Sequence, residues 1–173
     1  VSPDAHGEIG VPIDQIPVQM NLSLSPGPTE STGRLTSTAM SLPIPDMRVT
    51  FGAVKDSTAR FTALLRGVGD GSRTAIGHWS IAETACHVGH IFNFMSESAA
   101  GGGTPFDDHL KLSTGYEQML EDDSERDLDV LAGRIESSLA RFEERAAADR
   151  WTADHRWHGG IDVPLYTLAI IML

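Results

Sequence analysis

Basic residues, cysteine and aromatics are all scarce in this chain. Thirteen Lys and Arg stand against twenty-four Asp and Glu, for a formal net charge of −11 at pH 7. Nucleic acid and anionic membrane surfaces both need a basic footprint, so neither is expected as a partner. The single cysteine, Cys86, excludes an intramolecular disulfide and fits a reducing compartment, with the cytoplasm as the expectation. No apolar run reaches the roughly 18 residues of a membrane span. The first residues lack the basic then apolar pattern of a signal peptide. Chemistry-bearing motifs are few. No Gly-x-Ser-x-Gly element occurs, and the Gly101–Gly103 run is not followed by the Gly-Lys-Ser/Thr of a phosphate loop.

What remains is ordinary for a globular protein. With 173 residues, 40% hydrophobic and 21% charged, the chain can bury one substantial core. Seven of the nine prolines fall within residues 1–46, among many Ser, Thr and Gly. No helical or strand period is sustained there, so residues 1–46 read as a disordered extension and 47–173 as the folded domain.

The most informative stretch is Trp79-Ser80-Ile81-Ala82-Glu83-Thr84-Ala85-Cys86-His87. Ser80 followed by Glu83 forms a capping box, which predicts a helix from here to about Ser98. Ile81, Thr84, Ala85, Val88, Ile91, Phe92 and Met95 make its apolar stripe. His87 lies at the border of that stripe, about 100° from its centre. Such a position suits a metal ligand in a bundle, and equally an ordinary hydrogen-bonded histidine. Cys86 and His90 fall off the stripe. Their i, i+4 spacing permits a shared metal, but His90 points almost opposite the stripe and reads as solvated.

Other helices follow from the same periodicity. Residues 48–68 repeat Val49, Phe51, Val54, Thr58, Phe61, Leu64, Leu65 and Val68 at spacings of three and four, before a glycine-rich loop to Gly77. A third helix is predicted from Leu120 to about Ala148, with Leu128, Leu131, Ile135, Leu139 and Phe142 inward. Glu121, Asp122 and Asp123 would sit at its start. Trp151 to Gly160 reads as a connection, in which His155, Trp157 and His158 either line a pocket mouth or, the favoured reading, anchor the loop on the bundle. Pro164 suits the opening of a final helix, which stops in mid-pattern at Leu173. The fold class is therefore all-α, a four-helix bundle with its fourth helix truncated.

The Trp79-Ser80-Ile81-Ala82-Glu83 opening, with His87 eight positions after the tryptophan, resembles the DinB-like superfamily. More narrowly it is similar to the N-terminal domain of the mycothiol-dependent maleylpyruvate isomerases, with looser agreement over residues 49–173. The resemblance implies that His87 is one of three ligands to a divalent metal, zinc above all. An acidic residue or histidine, then a histidine four positions later, would complete the set on the last helix, beyond Leu173. It further implies a low-molecular-weight thiol (mycothiol) as cosubstrate and a small-molecule substrate. Thiol addition followed by expulsion would isomerise a double bond; addition alone would give a conjugate. One imidazole does not hold a metal usefully, so the chain alone is expected to be inactive. The alternative is a non-catalytic bundle acting as an interaction or regulatory module.

Overall fold

The computed structural model describes residues 43–173. The expected extension lies, as far as residue 42, outside them. Five helices and two small antiparallel hairpins make up the described part, and no helix among these residues is long and apolar enough to cross a membrane.

Helix α1 (Met47–Gly67) starts where the Asp46 carboxylate accepts the Val49 N–H at 2.9 Å, satisfying one of the free amides of a first turn. It buries Thr50, Phe51, Val54, Thr58, Thr62 and Leu65. Val49 and Leu64, expected inside, are 71% and 69% exposed. The wheel explains both. Val49 is five residues from Val54, about 140° around the helix, and Leu64 is about 80° from it.

Strands β1 (Thr74–Ile76) and β2 (Trp79–Ser80) pair in what was expected to be a plain loop. Helix α2 (Ile81–Ala99) follows, with both halves of the capping box formed: Glu83 N–H donates to Ser80 Oγ at 3.2 Å and Ser80 N–H donates to Glu83 Oε2 at 2.7 Å. The face it buries is broader than the apolar stripe. Ala85, Phe92 and Met95 are inside as expected, but so are Cys86, Gly89, Ser96 and Ala99, while Val88 and Ile91 are only half-buried.

The reason lies in the following elements. The single helix expected over residues 120–148 is two: α3 (Leu112–Asp122), preceded by a 3-10 turn, and α4 (Leu128–Arg145). The Asp127 side chain accepts the N–H groups of Asp129 and Val130 and so opens α4. The Arg126 guanidinium donates to the carbonyls of Leu120, Asp123 and Glu125, near the end of α3, where carbonyls lack helical partners. Glu121, Asp122 and Asp123 therefore close α3 rather than open α4. The inward stripe of α4 is as expected at Leu131, Ile135, Leu139 and Phe142. Helix α2 packs chiefly on α4; a Cβ at Gly89 would stand 3.7 Å from Ile135 Cγ1, so this crossing is close. That crossing is what buries the Cys86 side of α2.

The connection after α4 is a hairpin, β3 (Asp154–Trp157) with β4 (Ile161–Pro164), turned through Gly159 and Gly160 at φ of +72° and +73°. Side chains with a Cβ rarely adopt such values. Its pattern is Asp154 out, His155 in, Arg156 out, Trp157 in, the period of a half-buried strand. Helix α5 (Leu165–Ile171) follows Pro164 and buries Leu165, Leu168 and Ala169.

Candidate functional site

His87 sits on α2 between two aromatic rings. Its ring centroid is 5.0 Å from that of Trp79 and 4.7 Å from that of Tyr116, the latter edge-on. Trp79 lies in β2 just ahead of the helix, and its ring rests against His87 about two turns into α2. Trp79 is itself held, its Nε1–H donating to Glu117 Oε1 of α3 at 3.2 Å. His87 Nδ1 is buried and has no hydrogen-bond partner among the described residues. Burial lowers the pKa of the imidazole, with the neighbouring His90 acting in the same direction, so it stands neutral and able to donate a lone pair.

One side of His87 lines a groove of about 320 Å³, together with Thr58 and Phe61 of α1, Ile91 of α2 and the residues from Ile171 to Leu173. An orphaned, neutral imidazole nitrogen fits a ligand role. The other residues lining this groove include no His, Cys, Asp or Glu. The residues present thus supply one donor where a metal centre takes about three from protein.

A second histidine approaches the same aromatic cluster from the β3–β4 turn. His158 Nδ1 and Tyr116 Oη are hydrogen-bonded at 2.6 Å, and the imidazole stacks on Trp157 at 4.1 Å. Burial, and then the proximity of the His87 imidazole, push its pKa down to about 4. Its Nε2 is buried without a partner among the described residues. His155 is also buried, and its Nδ1–H donates to the Ser98 carbonyl of α2 at 2.8 Å. Ser98 Oγ donates in turn to the Arg156 carbonyl at 2.7 Å. These bonds tie the hairpin to α2.

A different set gathers on the α4 side of α2. Cys86, His90 and Asp123 each offer a ligand atom, and those atoms all lie within 4.8 Å of one another. His90, expected to be solvated, is only 27% exposed at its side chain and bonds Asp123 Oδ2 through Nε2 at 2.9 Å. Arg134 Nη1 donates to the same oxygen at 2.8 Å, and the Glu125 N–H donates to Asp123 Oδ1 at 3.1 Å. Burial alone would raise the Asp123 pKa; the Glu125 amide, His90 and Arg134 outweigh it and hold the carboxyl below its ordinary value. Cys86 is 1% exposed, and burial together with the Asp123 charge pushes its thiol up to about 11. Without a cation this thiol is protonated and a poor nucleophile. Cys86 and His90 also line a cavity of about 520 Å³ with Arg134 and Arg141. The Cys-x-x-x-His spacing was visible in the sequence. Asp123 was not identifiable as its companion, because it arrives from the α3–α4 break.

Among known proteins, no protein-family model matches the chain, and no curated protein matches it. The architecture defined above is a mostly helical bundle. A solved structure, described as the crystal structure of the mycothiol-dependent maleylpyruvate isomerase, shares that fold. The two superimpose with a TM-score of 0.53 at 19% sequence identity, over 76% of this chain and 58% of that one. This chain therefore matches little more than half the length of that protein.

Proposed function

We propose that residues 47–173 form the metal-binding bundle of a thiol-dependent enzyme, an isomerase or S-transferase, with residues 1–46 as an extension to it. Its cosubstrate would be a low-molecular-weight thiol of the mycothiol type, its substrate a small electrophile and its setting the cytoplasm. The observation that carries this reading is His87. A buried imidazole with an unpartnered Nδ1 costs stability in a purely structural role, on the order of 1 kcal/mol or more. A coordination bond would offset that cost. Trp79 and Tyr116 fix the ring orientation, as supporting groups around a ligating histidine do. The fold neighbour, named for its mycothiol dependence, supports the same class.

In this proposal His87 contributes one ligand, and the others come from residues following Leu173. A divalent cation so held would bind a thiol as thiolate, a nucleophile at neutral pH. The chain's own residues orient His87, keep it neutral and line an apolar groove beside it.

The test is metal content and thiol-dependent turnover of a chain extended beyond Leu173. About one metal per chain held through His87 is expected, with that metal and the turnover lost in His87→Ala. Unchanged turnover in that variant would sink the proposal. The groove's lack of a second ligand among the described residues favours the other reading, a bundle used as an interaction or regulatory module. A longer chain that takes up no His87-dependent metal after reconstitution, with its helical spectrum intact, would count against metal chemistry at His87 and favour that module.

A further inference from the structure

A metal centre built on His87 would leave the α4-facing flank of α2, roughly 60–100° around the helix, unused, and that flank carries the better-furnished donor set. We infer that Cys86, His90 and Asp123 form a site for a thiophilic divalent cation of the zinc class, separate from His87 and complete within residues 43–173. Cys86 and His90 lie four residues apart on one helix, the spacing that sets two side chains on one face about a turn apart. Asp123 is the residue at which α3 ends. Their ligand atoms are already within 4.8 Å of one another.

Tetrahedral zinc with bonds of about 2.0 Å to nitrogen and oxygen and about 2.3 Å to sulfur places its donors roughly 3.3–3.6 Å apart. No separation here therefore has to close by more than about 1.5 Å, and the 2.9 Å contact between His90 Nε2 and Asp123 Oδ2 must open by a few tenths of an ångström.

Thiolate, imidazole and carboxylate together select zinc over magnesium or calcium, which prefer oxygen alone. Three protein donors leave a fourth position, and the cavity of about 520 Å³ beside Cys86 and His90 supplies room for water or an exogenous ligand there. Around the carboxylate, Arg134 Nη1 and the Glu125 N–H hold it in place from outside, as outer-shell donors do at metal sites. Binding is balanced by proton loss: the Cys86 S–H bond breaks, a sulfur–metal bond forms, and the proton leaves to solvent.

The site is tested on the 173-residue chain itself, reduced and titrated with Co²⁺ as a spectroscopic substitute for Zn²⁺. The readouts are bound metal per chain and thiolate-to-cobalt charge-transfer absorption. About one Co²⁺ per chain is expected, with a thiolate band that Zn²⁺ displaces. His90→Ala and Asp123→Asn should each weaken binding at least ~10-fold, and Cys86→Ser should abolish the band. His87→Ala should leave the band and its affinity unchanged. Folded wild-type protein that shows no thiolate band overturns the inference without recourse to any variant. Metal retained in Cys86→Ser but lost in His87→Ala overturns it as well, and places the cation at the other site. Failure of the longer chain to gain a second metal bears on the His87 proposal alone.

Discussion

Glu136 of α4 shows how a single side chain can hold two helices and register pH. Arg66 of α1 donates to both its oxygens, at 2.7 and 2.9 Å, and Thr62 Oγ1 adds a third bond at 2.8 Å. The Arg66 bonds, then the Thr62 bond, lower the Glu136 pKa from 4.5 to about 2. Because the folded value lies below the unfolded one, this contribution is full above about pH 4.5 and is lost as pH falls toward 2. Both partners are substantially exposed, so solvent screening reduces the effect to about 1 kcal/mol. Glu136→Gln should therefore be less stable than wild type by about that amount at pH 7. In urea unfolding across pH, the difference should vanish near pH 2. A constant difference would refute the linkage. None of this was legible beforehand: Glu136 reads as one of several wet residues on α4, and only the packing of α1 reveals its partners. The same limit applies to His90. A helical wheel places it opposite the apolar stripe, but the end of α3 supplies a carboxylate and shelters it.

At the scale of elements, two glycines inside helices make opposite predictions. Gly52 in α1 is exposed, and a Cβ there would meet nothing within 4 Å. Gly52→Ala should stabilise the protein by about 0.5–1 kcal/mol, through helix propensity and a less free unfolded chain. Gly115 in α3 faces Phe106, whose Cε1 would lie 2.5 Å from an added Cβ. Phe106 packs edge-on against Tyr116 and His158, so its displacement disturbs the cluster around His87. Gly115→Ala should cost about 1–3 kcal/mol despite the better propensity. Thermal melts of the two variants, shifting in opposite directions, check both. The starts of α2 and α5 were readable because a capping box and a proline act within one turn of chain. The break between α3 and α4 was not. Asp127 is one acid among several in a periodic stretch, and the carbonyls that Arg126 satisfies are defined only once the chain has turned. The β3–β4 hairpin is hidden in the sequence for a related reason. Its alternation spans only four residues, too short to stand out from a loop until its pairing and the buried His155 and Trp157 are seen.

For the molecule as a whole, Phe142 is the residue on which α1, α4 and the segment before β3 converge. It is fully buried, 5.7 Å from Phe51, which in turn lies 5.8 Å from Trp151. Trp151 Nε1–H then donates to the Pro45 carbonyl at 2.8 Å, closing the cluster over the start of α1. Phe142→Ala should cost about 3–5 kcal/mol, a large share of the roughly 5–15 kcal/mol that holds a domain together. Calorimetry should show a lower melting temperature in a transition that remains cooperative. A loss below 1 kcal/mol would mean that this cluster is not the core.

By itself the sequence determined the helical class, the inward stripe of α4, the cap of α2 and the Trp79–His87 relation. Each is set by spacing along the chain and by side chains that bond their own backbone. Tertiary structure alone decided which side of α2 faces α4, where the acidic segment between α3 and α4 breaks, and that Asp123 meets Cys86 and His90. Those outcomes depend on non-local surfaces whose burial no helical period encodes, and on a carboxylate delivered from more than thirty residues away.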